Sequence, residues 1–190
     1  MARSVSSLHG HMNKGRYGKP GKAGIVIEEV AVASFIQISS WPNTIQDIER
    51  ATAKSAGLST APGPGKVKRG KISNLLRIEP LKWWLISNKE EITLPSFSAE
   101  KGMVLDLGSS KTWLKITGPK ATSLLNNFVP LDLRKEIFLE DDVASTSFHH
   151  IGVTIWRDGV GFNLLLPRSF ALSLWELLEA SAHQYGLEIN

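Results

Sequence analysis

Few residues of this sequence stand at spacings that could do chemistry, and each such spacing has a plainer reading. The string Asp106-Leu107-Gly108-Ser109-Ser110-Lys111-Thr112 has the residue types of a nucleotide-phosphate hairpin, in which Asp and Gly flank the nucleotide. Such a site needs a cleft between two large lobes, and 190 residues are too few for both. Asp, Gly and Ser are also what a strand–turn–strand selects. Gly63-Pro64-Gly65-Lys66 offers the glycines and lysine of a phosphate loop, but Val67 follows it and no periodic helix does, so it reads as a loop. His149 and His150 are adjacent in an expected strand, which turns them to opposite faces and prevents a joint grip on one metal ion. His9 and His11 stand in a segment with no preformed geometry.

The inventory excludes more. There is no cysteine, hence no disulfide, thiolate nucleophile, zinc finger or iron–sulfur ligation. No Gly-x-Ser-x-Gly elbow and no Gly-x-Gly-x-x-Gly fingerprint occurs, and no two carboxylates stand at a recognisable catalytic spacing. Glu140-Asp141-Asp142 reads as a solvated acidic loop. Neither a catalytic residue, nor a cofactor site, nor a metal site is therefore assigned to this chain. What remains is aromatic: six tryptophans, four of them in expected strands. Trp83 and Trp84 are consecutive, and Trp113 and Trp156 alternate with aliphatic neighbours, so at least one indole is expected to face outward. Because tryptophan is enriched at interfaces, Trp83, Trp84, Trp113 and Trp156 are the candidate partner contacts.

The elements that would position these residues follow from periodicity. Val32–Ser39 reads as a strand, and a helix capped by Asn43 or Thr44 runs from Ile45 to a stop at Gly57. The span 58–71 is a turn-rich loop with a basic cluster, Lys66, Lys68, Arg69 and Lys71. Leu75–Ile78, Trp83–Ile86, Met103–Leu107 and Thr112–Thr117 are short strands. Gly118-Pro119 opens a second helix with Ala121, Leu124, Leu125 and Phe128 on one face. Phe148–Trp156 reads as one strand, and Asp158-Gly159 turns it into Phe162–Leu166. A last helix places Phe170, Leu174, Leu177, Leu178, Ser181 and Tyr185 on its buried face and stops at Gly186. The order strand, helix, strand, strand occurs twice, which implies an α+β fold of antiparallel sheets with helices on one face, in two halves at about 24–88 and 102–188.

Five of the 22 basic residues (Arg3, Lys14, Arg16, Lys19 and Lys22) precede residue 24, and none of the 18 acidic ones does. Residues 1–23 read as a flexible basic tail, too polar to offset the entropy of ordering. With the positive excess on a tail instead of the folded body, nucleic acid is not an expected partner. No stretch approaches the roughly 20 apolar residues of a membrane helix, and a soluble cytoplasmic protein is expected.

Several segments together carry a family resemblance: Val104-Leu105-Asp106-Leu107, Lys115 to Ala121, Leu124-Leu125, Pro130-Leu131-Asp132-Leu133, Phe138, Ile155-Trp156-Arg157 and Arg168 to Trp175, with Trp83-Trp84-Leu85 before them. In order and spacing this resembles the gamma subunit of heterotetrameric sarcosine oxidase, over about residues 72–186. The resemblance implies a fold similar to the folate-binding domain of aminomethyltransferase. It also implies direct packing on the alpha subunit, within a complex that includes beta and delta subunits and oxidatively demethylates sarcosine to glycine, with tetrahydrofolate taking the one-carbon unit. FAD and FMN would lie on beta, NAD on alpha and zinc on delta, with no cofactor on this chain. Two other readings stay open: a folate- or pterin-binding module, and a small aminomethyl transferase using a carboxylate such as Asp106.

Overall fold

The computed structural model describes residues 5–71, 73–88 and 92–190. The chain divides into two compact units, one of Ala31–Ser109 with Asp141–Ala144, the other of the residues up to Val30, Ser110–Glu140 and Ser145–Asn190.

The other unit holds a seven-stranded sheet, except for Val143 and Ala144 at the start of one edge strand, which fall in the Ala31–Ser109 unit. Its strands are β1 (Gly15–Tyr17), β2 (Ile25–Val30), β8 (Lys111–Thr117), β9 (Val143–Phe148), β10 (Ile151–Arg157), β11 (Gly161–Pro167) and β12 (Leu187–Ile189), in the order β1-β12-β2-β8-β11-β10-β9. The pairings of β1, β8, β10 and β11 are antiparallel, and β2 with β12 is parallel. Helices α2 (Ala121–Leu125) and α3 (Ala171–Ala182) belong to this unit. The Ala31–Ser109 unit is built on β3 (Ser34–Ser40), β4 (Val67–Arg69), β5 (Asn74–Glu79), β6 (Lys82–Ser87) and β7 (Gly102–Asp106), ordered β4-β5-β6-β3-β7, every pair antiparallel. Its helix α1 (Ile45–Ser55) buries Ile48 against Ile36, Ile38, Leu75, Trp83 and Leu85. The fold is α+β with mainly antiparallel sheets, as the element order predicts.

Glycine is required at two of the boundaries. Gly118, at φ +105°, ends β8 where a Cβ would lie 2.5 Å from the Gly24 carbonyl oxygen, a distance no side chain survives. Gly186, at φ +75°, stops the chain after α3 and turns it into β12.

Several expectations are corrected. The halves do not follow the chain, because 25–30 pairs with β8 and β12 and 102–106 pairs with β3: hydrogen-bond partners decide the sheet, and element order does not. The expected tail is packed from residue 5 on, residues 1–4 lying outside the described residues. Leu8 is buried, the Ser6 hydroxyl donates to Glu29 at 2.6 Å, and β1 joins the sheet beside β12. The expected basic loop contains β4, with Lys66 and Arg69 paired to Asp142 and Asp141. The expected strand from Phe148 is two strands, with His149 at φ +50° in the turn between them. Helix α2 is a single short turn ending at Leu125; Phe128 lies beyond it and stacks on Phe148 with ring centroids 4.5 Å apart. In α3 the buried face is Ala171, Leu174, Trp175, Leu178 and Ala182, while Phe170 and Leu177 are exposed. With apolar residues on nearly every side of that helix, periodicity does not choose which stripe packs.

Candidate functional site

The four tryptophans of the expected strands are all buried. Trp83 is 0% exposed, Trp84 9%, Trp113 5% and Trp156 1%. The expectation of an outward indole among them is not met. In β6, β8 and β10 consecutive residues around these tryptophans are buried on both faces, so alternation moves an indole from one packed side to the other instead of into solvent. Trp84 meets Phe35 edge-on at 5.1 Å and donates its indole N–H to Gln37 Oε1 at 3.1 Å. Trp113 and Trp156 pack against each other with centroids 5.4 Å apart. The exposed indole is Trp41, at the end of β3, which no strand alternation flagged because it falls in a Trp-Pro-Asn turn.

The other sequence candidates separate. Asp106 is exposed at the end of β7, and its Oδ1 accepts the Gly108 N–H at 2.7 Å, a turn contact. Lys66 is ion-paired with Asp142, and Arg69 with Asp141 at 2.7 Å. The basic loop and the acidic run thus neutralise each other, a pairing across seventy residues that spacing cannot reveal. No group of three His, Asp or Glu side chains suited to a metal ion occurs among the described residues.

What the fold does assemble lies in the seven-stranded unit, at the β10–β11 hairpin. A cleft of about 630 Å³ is lined by Lys135, Glu140, Arg157, Asp158, Phe162 and the backbone at Gly118 and Gly159 to Gly161. The Arg157 guanidinium lies 4.4 Å from the Phe162 ring centre and donates to the Leu133 carbonyl. Burial pulls the Arg157 pKa down, and the charges of Glu136 and Glu140 act against it. Asp158 makes the hairpin: Oδ1 accepts the N–H groups of Val160 and Gly161 at 2.9 Å, and Oδ2 accepts Asn163 Nδ2 at 2.9 Å with Lys115 Nζ 3.5 Å away. Asn163, 2% exposed, accepts the Trp113 indole N–H on its other side at 3.0 Å. Burial, the largest influence on Asp158, pushes its pKa up, but the bonds from Asn163, Val160 and Gly161 and the charge of Lys115 outweigh it, and the net pKa is lowered. With both oxygens engaged, this carboxylate is suited to hold a turn and poorly suited to accept a proton. The sequence reading found the turn and missed Asn163, whose polar position in Phe-Asn-Leu-Leu-Leu was the available signal.

A folded pKa below the unfolded one, about 3.9, means that Asp158 contributes its stabilisation in full above about pH 4 and loses it as pH falls through the lowered value. Asp158→Asn is expected to flatten the acid limb of the stability curve and to cost about 1–2 kcal/mol at pH 7. Urea midpoints between pH 2.5 and 7 check this; an acid limb unchanged by the substitution would show that the network is not the titrating element.

No protein-family model matches the chain. Among characterised proteins it is similar to sarcosine oxidase subunit gamma of Corynebacterium sp. strain U-96, 27% identical over 155 residues, 78% of this chain and 74% of that one. The same subunit of an Arthrobacter species is 25% identical over 150 residues, 77% and 73% of the two chains. The resemblance to sarcosine oxidase gamma subunits is borne out. The gamma subunit of Corynebacterium sp. strain P-1 is 34% identical over a shorter span of 70 residues, 37% of this chain and 34% of that one. In three dimensions the chain is similar to one from the heterotetrameric sarcosine oxidase of Corynebacterium sp. U-96, solved with pyrrole 2-carboxylate, at TM-score 0.75 and 23% identity over 96% of each chain. It is also similar to aminomethyltransferase T of the glycine cleavage system of Bartonella henselae, at TM-score 0.62 and 15% identity, covering 88% of this chain and 48% of that one. These structural likenesses establish the aminomethyltransferase-like fold. No helix among the described residues is long and apolar enough to cross a membrane.

Proposed function

We propose that this chain is the gamma subunit of a heterotetrameric sarcosine oxidase, a non-catalytic subunit supporting assembly with the alpha subunit of a complex that oxidatively demethylates sarcosine to glycine. The observation that carries it is the similarity to named gamma subunits across about three quarters of both partners. The geometry is compatible with a non-catalytic role: Asp158 is engaged on both oxygens, Asp106 closes a turn, and the adjacent histidines form a hairpin bend. In this reading the beta and delta subunits complete the complex, FAD, FMN, NAD and zinc reside on the other subunits, tetrahydrofolate takes the one-carbon unit, and the assembly works in the cytoplasm.

The test is co-expression with alpha, beta and delta subunits from the same source, followed by size-exclusion chromatography. The chain is expected to elute with the flavin-coloured complex, and alone to be colourless and inert toward sarcosine. Elution apart from the complex overturns the assembly role. Flavin absorbance or peroxide production by the isolated chain overturns the non-catalytic role, and folate binding by the isolated chain restores the module reading.

A further inference from the structure

The two edges of the five-stranded sheet are treated differently. At one edge β4 is three residues long, carries Lys68 and Arg69, and is covered: Val67 N–H donates to the Asp141 carbonyl at 2.8 Å, and Val143 N–H to the Gly65 carbonyl at 2.9 Å. Short length, charge and cover are the usual protections of an edge strand. At the other edge β7 reads Gly-Met-Val-Leu-Asp, with no lysine, proline or bulge, and among the described residues no strand lies beyond it.

Register fixes what this edge presents. Leu107 N–H donates to the Phe35 carbonyl at 2.9 Å and Trp41 N–H to the Lys101 carbonyl at 3.3 Å, while Gln37 stands opposite Leu105 and Ser39 opposite Met103. The odd-numbered residues from 101 to 107 therefore make the ladder to β3, and the backbone N–H and C=O groups of Val104 and Asp106 point away from it, while Gly102 at the start of the strand is buried. Side chains alternate, so Val104 packs on the core with Ile36 and Ile38, and Met103 and Leu105 stand on the opposite face together with Trp41. These three are 42%, 44% and 43% exposed. A row of outward donors and acceptors bordered by an apolar face is the arrangement that receives an extended chain by strand addition.

We propose that β7 is the docking edge of this chain, where an extended apolar segment of the larger partner subunit adds a strand and covers Trp41, Met103 and Leu105. The proposal rests on the gamma-subunit reading, which supplies the partner. A second copy of β7 is the weaker occupant: pairing two five-residue strands edge to edge satisfies their backbones over only about 17 Å and leaves Trp41, Met103 and Leu105, which stand on a face of the sheet, uncovered, whereas a stable contact buries roughly 1,600 Å². A larger subunit can cover the edge and the adjoining face together.

Hydrogen exchange on the assembled complex and on the isolated chain tests it, with the alpha-containing assembly as the probe. The amides of Val104 and Asp106 are expected to exchange at least about tenfold more slowly in the complex. The double variant Met103→Glu, Leu105→Lys is expected to weaken association about 30-fold, with circular dichroism and melting of the isolated chain unchanged. Leu177→Lys, on an exposed position of α3, is the control and should assemble normally. If the wild-type chain assembles while both amides stay unprotected, the docking edge is wrong and the gamma-subunit reading stands. If the wild-type chain does not assemble, the gamma-subunit reading falls and the proposed occupant with it. Protection in the isolated chain that grows with concentration identifies a second copy as the occupant and overturns the proposal.

Discussion

Trp83→Ala is expected to lower the unfolding free energy by about 4 kcal/mol, the range for removing a large aromatic side chain from a packed core. The indole is fully buried among Ile36, Ile38, Ile48, Leu75 and Leu85, and the Arg77 guanidinium sits 4.7 Å from its ring centre. No backbone shift can refill such a volume between a helix and a sheet. Trp83→Phe should cost far less, about 1 kcal/mol, because an aromatic face remains beneath Arg77 and the Trp83 indole N–H has no hydrogen-bond partner to lose among the described residues. Urea unfolding followed by far-UV circular dichroism separates the two. A loss below about 1.5 kcal/mol for the alanine variant would mean that this indole is not a core residue, and would return it to the list of partner contacts.

Arg77→Ala is expected to cost about 3 kcal/mol, the low end of the range for breaking a buried ion pair from one side. The side chain is buried, and its guanidinium joins three segments. Nη1 donates to Glu49 Oε1 of α1 at 2.6 Å and to the Pro62 carbonyl of the loop before β4 at 3.5 Å, while Nη2 and Nε donate to the Pro80 carbonyl at 2.6 and 3.2 Å in the β5–β6 turn. Removal strands the Pro80 carbonyl and leaves Glu49 without its cation. Arg77→Lys should recover only part of the loss, because a single ammonium cannot reach both acceptors in the same fork. The exposed pair Arg50–Asp47, 2.6 Å apart, is the comparison: Arg50→Ala should cost at most about 0.5 kcal/mol. Equal costs at the two arginines would show that burial adds nothing at position 77. A double-mutant cycle between positions 77 and 83 should give a coupling of at least about 0.5 kcal/mol.

Local grammar carried much of the fold. β3, β5, β6, β7, β8 and β11 lie within a residue or two of their expected spans, because short apolar runs bounded by Pro, Gly and Asp leave the backbone little choice. The Asp158 turn and the stop at Gly186 were legible for the same reason: each depends on a residue's own conformational preference. The resemblance to gamma subunits also needed no coordinates, since it lay in the order of motifs.

What the sequence could not decide was pairing. β1, β2 and β12 are marginal strands whose existence depends on neighbours distant in the chain; Arg16 meets Glu188 at 2.9 Å, and nothing near either residue announces it. The same holds for Lys66 with Asp142, which turned an expected basic loop into a covered sheet edge. Alternation predicted correctly that Trp83 and Trp84 face opposite ways, and predicted wrongly that one would be exposed, because facing is a local property and burial a tertiary one. The sequence by itself determined the α+β class and the resemblance to sarcosine oxidase gamma subunits, through element order and motif order. Only the tertiary structure decided which surface is open, by packing Trp83, Trp84, Trp113 and Trp156 inside and placing β7 at the edge of its sheet among the described residues, since exposure depends on what else folds against a residue.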